Sequence, residues 1–503
     1  MDLRPTGCLQ DGDKEIARHG HRAGRSVVAF RGVFWSAFSI SVPAAVNLVV
    51  FLITSRLLTP ADFGAVALAA TITMFAASLG PIGFGEALVQ RSSLRTDHLD
   101  SVFWLCMIFG AAAYVVLHVN AGRIGDLFES EILAVLVPVF GVRILLQMAN
   151  VVPNALIVRS LSFHLIALRT FMATLIAAAI SIALVLSGYG LWALVFSQLS
   201  ASAVTAGTSF WTAGWRPRAT MKLSALRELA RYGIFASGNQ LVAFLGTKAD
   251  QAVVGYVLGI RSAGLYNFAR RVHTMTSDVV SGSLGTVSHP LFSEVQHDRD
   301  KIRRGFLIAT FVSSVVSFPI FVGTALVADR AVPLLFGKQW LEAVEPLRLL
   351  CAIGLISCIG TLQSSLIKSR GKADWWFYYQ LVSSLFNIAL VVAFARYGVA
   401  VMLLALVAKA YLLWPVSVAM TLQLLSMRLP QYARQFSGPV AATVAMGAAV
   451  LFSREFLDDT TALQGLLQDV TVGAVSYAAV LIACAPRRLM DIGGIVRRAA
   501  MVR

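Results

Sequence analysis

The chain has 503 residues, of which 57% are hydrophobic and only 14% charged, and its mean hydropathy is +0.74. A soluble globular chain carries about 25% charged residues, so this composition excludes a soluble enzyme or binding module and indicates an integral membrane protein. The formal net charge is +16, but Lys and Arg fall in short runs between apolar segments and not in one patch, which argues against a nucleic-acid partner.

Residues 1–31 form a polar, basic tail that is too long for a signal-peptide n-region, and the apolar run after it is long enough to span. An uncleaved first transmembrane helix is expected. A spanning helix needs about 20 mostly apolar residues, and the chain offers about 14 such runs. In the first half, 32–212, they fall at 32–54, 63–83, 99–120, 131–153, 164–187 and 190–212. In the second, 232–421, they fall at 232–257, 264–290, 305–328, 343–367, 375–396 and 398–421. Two more, near 438–456 and 467–485, lie in a C-terminal section, 422–485, before a basic tail at 486–503. The linker at 213–231 contains KLSALRELAR, which places Leu223, Leu226 and Ala230 on one face and predicts a helix lying at the membrane interface. The expected fold is an all-α polytopic membrane protein with two pseudo-symmetric six-helix lobes plus two C-terminal helices.

Loop charge supports the even count. With the N-terminus in the cytoplasm, roughly 29 Lys and Arg fall inside, Arg159 and Arg169 among them, and roughly 7 outside, including Arg330 and Arg454. Both termini are therefore expected on the cytoplasmic side of the membrane. Every loop is too short for a catalytic domain. No Walker, HExxH or GxSxG motif occurs, and GPIGFG at 80–85 ends an apolar helix without a βαβ context. The five cysteines show no CxxC or His/Cys spacing, so neither a metal site nor a cofactor is expected. LTPADFG at 58–64 lines up with LGIRSAG at 258–264, and SLG at 78–80 with SLG at 283–285, which suggests a duplicated six-helix unit with the substrate site between the copies.

Polar residues recur at helical spacing inside several apolar runs, so each set lines one face. Arg143, Gln147, Asn150 and Asn154 form one such stripe, and Asn267, Arg271, Thr274, Asp278 and Ser281 a longer one. Thr361 and Ser364 share a face with Ser357 and Lys368; Asn239 shares one with Gly246 and Asp250. An ionised side chain in hydrocarbon costs about 2.5–3.5 kcal/mol on insertion scales, so charges kept there have a task. Arg143, Lys248, Arg270, Arg271 and Lys409 outnumber Asp250 and Asp278. Such a surplus suits phosphate or pyrophosphate, which Arg binds bidentately and Lys as a point charge. Lys409 has two readings, a cavity cation or the partner of a carboxylate on a neighbouring helix. Asp250 and Asp278 could couple transport to H⁺ or Na⁺, whereas Asp278, two turns from Arg271, could equally form a salt bridge with it.

Five segments resemble the Wzx-type polysaccharide flippases: RLLTPADFGAVAL (56–68), GFGEALVQR (83–91), TKADQAVVGYVLG (247–259), AGLYNFARRV (263–272) and HPLFSEVQHD (289–298). The resemblance spans about residues 30–430 and is strongest to the branch that exports exopolysaccharide or colanic-acid-type repeat units, within the superfamily that includes MATE exporters. It implies a MATE-like architecture, with two six-helix lobes around a central cationic cavity. It also implies alternating access that carries an undecaprenyl-pyrophosphate-linked oligosaccharide from the cytoplasmic to the periplasmic leaflet, for exopolysaccharide, capsule or lipopolysaccharide synthesis. A polysaccharide polymerase and chain-length or export proteins are the partners it suggests. Pyrophosphate would sit among Arg143, Lys248, Arg270, Arg271 and Lys409. Pro60, Asp62, Gly64 and Glu86 match motif positions at helix ends and, with Gly264, are expected in turns or hinges. The alternatives are a lipid II flippase, which differs only in headgroup, and a MATE-like ion-coupled exporter of small molecules, which would want an acidic cavity.

Overall fold

In hydrocarbon only a helix satisfies every backbone N–H and C=O within its own segment, so long apolar runs in this chain become helices. The computed structural model describes residues 42–160, 162–293, 299–456, 461–486 and 488, with side chains for all of these except 163, 281–293, 299 and 373. The predicted tail at 1–31 and all but a few residues of that at 486–503 lie outside the described residues. Among the described residues there is no strand, and 11 helices are long and apolar enough to cross a membrane. A shorter apolar helix, α1 (Val42–Leu57), precedes them.

The order continues with α2 (Pro60–Ser78), α3 (Gly83–Gln90), α4 (Thr96–Val119), α5 (Ala121–Leu127), α6 (Glu131–Arg159), α7 (Phe163–Leu186) and α8 (Trp192–Ala213). After these come α9 (Leu223–Ser293), α10 (Arg299–Leu335), α11 (Val344–Ser369), α12 (Ala373–Phe394), α13 (Val399–Leu425), α14 (Leu429–Phe456) and α15 (Ala462–Cys484). Every predicted span overlaps one of these helices. The 71 residues of α9 hold two predicted spans, divided at Gly259, whose φ of 81° and ψ of 174° break the helix. A side chain there would be strained, so glycine fits the break between the two predicted spans. The predicted interfacial helix is helical but not separate. It forms the first turns of α9, and the residues it buries are Ala225, Leu226 and Leu229, while Leu223 is exposed.

The helices gather into two compact units. One comprises Met1–Phe51, Gly80–Ala112 and Val142–Ser237; the other comprises Leu52–Leu79, Ala113–Gly141 and Gly238–Arg503. Four of the five boundaries fall inside helices, α1, α4, α6 and α9, and the fifth lies between α2 and α3. In the first unit a polar clasp fastens the 213–231 linker. Glu228 bonds Arg91, Arg95 (2.7 Å) and the buried His98 (3.2 Å), while Lys222 pairs with Asp97 at 2.8 Å. The Asp100 carboxylate accepts from the Arg218 amide at 3.1 Å, and the Trp104 indole donates to the Arg218 carbonyl at 2.7 Å.

In the second unit the fully buried Trp340 is the meeting point. It stacks on Phe268 at 4.2 Å, takes Phe63 edge-on at 5.1 Å and donates to the Ser55 carbonyl at 2.8 Å. This fixes the 55–63 segment onto α9 and the short 3-10 helix Lys338–Ala343 that follows α10. Further along, α10 packs against α11, α14 and α15. A buried relay, Ser417 Oγ to Gln363 Oε1 (2.9 Å) and Gln363 Nε2 to Tyr432 OH (3.2 Å), joins α13, α11 and α14.

Candidate functional site

The stripe on α6 is real and its members differ in use. Arg143 is partly buried and donates to Gln198 Oε1 on α8 at 3.1 Å. One turn on, Gln147 is exposed, and Asn150 buries an Oδ1 with no partner. Asn154 Oδ1 accepts from Arg169 at 3.0 Å, and the same guanidinium nitrogen donates to Ser209 Oγ on α8 at 2.7 Å. Arg169, counted on the cytoplasmic side and contained in the predicted span 164–187, lies in the second turn of α7, turned toward α6 and α8. Among the described residues neither Arg143 nor Arg169 meets a carboxylate, and amide and hydroxyl partners leave a full positive charge on each.

In the second unit the sequence grouped Lys248, Arg270 and Arg271 as substrate cations and Asp250 as an ion site. The structure separates them. Asp250 is buried and accepts from Tyr266 OH at 2.6 Å and from the Gln251 amide at 2.9 Å, and it forms an ion pair with Arg270. Arg270 also donates to the Thr247 carbonyl. Arg270 and Asp250 thus neutralise each other in a packed cluster, which removes Arg270 from the surplus of cations. Lys248, two residues before Asp250, is partly buried and joins none of these bonds. Lys409 on α13 donates to Asn387 Oδ1 at 2.9 Å and approaches the Ser383 carbonyl at 3.4 Å, so its neighbour on α12 is a neutral amide and not the carboxylate that one reading foresaw.

The long stripe on α9 divides by exposure. Asn267 and Arg271 are partly buried, whereas Thr274 and Asp278 are exposed, and the side chain of Ser281 lies outside the described residues. Asp278 pairs with no base among the described residues, so the two-turn salt bridge to Arg271 is absent. An exposed carboxylate at this depth needs water beside it. Asn239 and Thr361 are also exposed, and Ser364 is partly buried.

The motif glycines are brought together. Thr59 and Asp62 cap α2 reciprocally, at 2.7–3.2 Å, with Pro60 in its first turn, so Pro60 and Asp62 start a helix. A Cβ on Gly64 would collide with the Ile260 carbonyl oxygen, and one on Gly264 with the Pro60 carbonyl oxygen. The two contacts are mirror copies at the repeat offset seen in the sequence. Backbone meets backbone where the two motifs cross, which is why neither position carries a side chain. Glu86 lies exposed in the first turn of α3.

Among the described residues, then, short loops join many helices of spanning length, and the cations Arg143, Arg169 and Lys409 bond neutral groups. Residues 53–345 match the family described as polysaccharide biosynthesis protein, and the chain belongs to that family. It is 28% identical over 353 residues to the succinoglycan biosynthesis transport protein ExoT of Rhizobium meliloti, covering 70% of this chain and 71% of ExoT. To the lipopolysaccharide biosynthesis protein WzxC of Escherichia coli it is 24% identical over 367 residues, covering 72% and 74%. Its fold is similar to that of the lipid II flippase MurJ in an inward closed conformation, with a TM-score of 0.70 at 14% identity over 88% of this chain and 98% of MurJ. The chain is thus a multi-pass membrane protein of polysaccharide biosynthesis and a transporter, not an enzyme.

Proposed function

We propose that this chain flips an undecaprenyl-pyrophosphate-linked oligosaccharide repeat unit from the cytoplasmic to the periplasmic leaflet of the inner membrane, for exopolysaccharide, capsule or lipopolysaccharide synthesis. The lipid tail stays in the bilayer, while the sugars and pyrophosphate need a polar passage through it. Two six-helix lobes opening alternately to either side supply one, with both termini cytoplasmic. The observation that carries this reading is that, among the described residues, Arg143, Arg169 and Lys409 sit on helices of spanning length or their neighbours and bond only amide, hydroxyl or carbonyl groups, while Lys248 forms no ion pair. A bound pyrophosphate would supply the missing anions. Family membership supplies the saccharide, and the flippase fold supplies the type of movement.

The test is reconstitution in liposomes with a defined lipid-linked repeat unit on one leaflet, read by a membrane-impermeant lectin on the other. The wild type should transfer the lipid. An Arg143→Ala, Lys248→Ala double variant should be slower by about a hundredfold or more, the loss expected for two charge-assisted contacts. A double variant as fast as the wild type would remove pyrophosphate binding from the proposal. Coupling to H⁺ or Na⁺ through Asp278 is tested in the same vesicles. If Asp278 is the coupling site, collapsing the gradient slows the wild type and leaves Asp278→Asn unaffected.

A further inference from the structure

A second charged cluster lies at the other end of the chemistry, where α10, α11, α14 and α15 come together. Asp469 near the start of α15 is almost fully buried and takes ion pairs from Arg330 at 3.2 Å and from Arg454 at 2.7 Å. Arg454, at the end of α14, also pairs with Asp329 of α10 at 2.9 Å and donates to the Leu326 carbonyl at 2.9 Å. The sequence had placed Arg330 and Arg454 in loops; they lie instead inside the last turns of their helices and fasten the two C-terminal helices to α10. Arg348, in the second turn of α11, is left over. Its Nε donates to the Ala325 carbonyl at 3.0 Å, and among the described residues its ion-pair partner is Asp329, at 3.5 Å and already engaged by Arg454. In these ion pairs three arginines share two aspartates, and the one with the longest contact is the half-exposed Arg348.

Directly against this cluster is a crevice of about 460 Å³ between α10, α11 and α14, with walls of Phe321, Val322, Ala352 and Leu355 and a rim formed by Arg348 and Arg454. That volume is of the order of a small-molecule site. Leu451, which also lines it, is 56% exposed on a helix long and apolar enough to span, the exposure expected of a leucine that meets lipid. An apolar slot that opens toward lipid and ends at a surplus guanidinium matches an amphiphile with an anionic head. It does not match a soluble anion, for which the walls are too apolar, nor a cation, which the arginines repel.

We propose that this crevice binds an anionic glycerophospholipid of the surrounding leaflet, with its phosphate on Arg348 and an acyl chain along Phe321 and Ala352. The lipid completes the packing between α11 and the C-terminal pair and answers the unbalanced charge. It is separate from the transported substrate.

Native mass spectrometry of the detergent-purified full chain, titrated separately with phosphatidylglycerol, phosphatidylethanolamine and undecaprenyl phosphate, tests this. The wild type should retain phosphatidylglycerol over phosphatidylethanolamine by about fivefold, as expected for one basic residue at the membrane surface. Arg348→Gln should abolish the preference. Ala352→Phe, which fills the slot and leaves the ion pairs untouched, should reduce retention of phosphatidylglycerol while the chain still elutes as a single folded species. Equal retention by the wild type and both variants overturns the site. Displacement of phosphatidylglycerol by equimolar undecaprenyl phosphate overturns the choice of occupant and assigns the crevice to the carrier lipid.

Discussion

Asp250 receives Tyr266, the Gln251 amide and Arg270, while Lys248, two residues away, takes part in none of these bonds. That difference separates two kinds of charge in one stretch of α9. Removing one partner of a buried ion pair strands the other, at a cost of about 3–5 kcal/mol. Asp250→Asn should therefore lower thermal stability markedly in detergent, and the Asp250→Asn, Arg270→Gln double variant should recover part of the loss. Lys248→Ala should leave the melting temperature near that of the wild type and affect transport alone. A stability loss for Lys248→Ala equal to that for Asp250→Asn would show that Lys248 is structural. The sequence reading could see that Lys248 and Asp250 point to different faces, because they are two residues apart on a helix. It could not see that Arg270, a full helix turn beyond Tyr266 and across the Gly259 break, returns to Asp250.

At the level of elements, the crossing of α2 and α9 is set by close backbone approach. Phe75 lies 5.8 Å from Phe244, Thr71 Oγ1 is 3.1 Å from Gln251 Oε1, and Gly255 leaves room for Leu68, so the two helices run together until Gly64 and Gly264 touch. A methyl group on either glycine must push the helices apart. Gly64→Ala and Gly264→Ala should each destabilise the chain by about 1–3 kcal/mol, the usual cost of overpacking, as read from thermal unfolding. Gly122→Ala is the control: a Cβ there meets nothing within 4 Å, so its melting temperature should stay unchanged. The repeat in the sequence marked Gly64 and Gly264 as equivalent. That they are equivalent because they are in contact is a fact of packing, since a short motif records only that a residue must be small.

For the molecule as a whole, the two C-terminal helices are held by ion pairs that close over a long sequence separation. Arg454 reaches Asp329 of α10 and Asp469 of α15, and Asp469 is inaccessible to solvent. Asp469→Ala leaves Arg330 and Arg454 short of a shared acid in a buried setting and should release α14 and α15 from α10. Limited proteolysis should then cut between α14 and α15 faster than in the wild type; an unchanged digestion rate would mean that apolar packing alone holds the pair. Sidedness is tested by single cysteines placed at Arg218 and at Arg396. A membrane-impermeant thiol reagent added outside intact cells should label the second and not the first, as the distribution of loop charge requires.

Helix number, broken points and class were legible in the sequence because they depend on local quantities. Apolar runs of spanning length must be helical in lipid, Gly259 marks a place where only glycine relaxes, and loop charge alternates along the chain. The surplus of cations was legible for the same reason, as a count of residue types at membrane depth. Which of those cations remain uncompensated was decided by the tertiary structure. Arg270 finds Asp250, Lys409 finds only Asn387, Arg169 turns inward from the start of α7, and Arg454 binds two acids on other helices. An ion pair at 3 Å depends on how helices cross, and that crossing is set by packing among residues far apart in the chain, which no local pattern encodes.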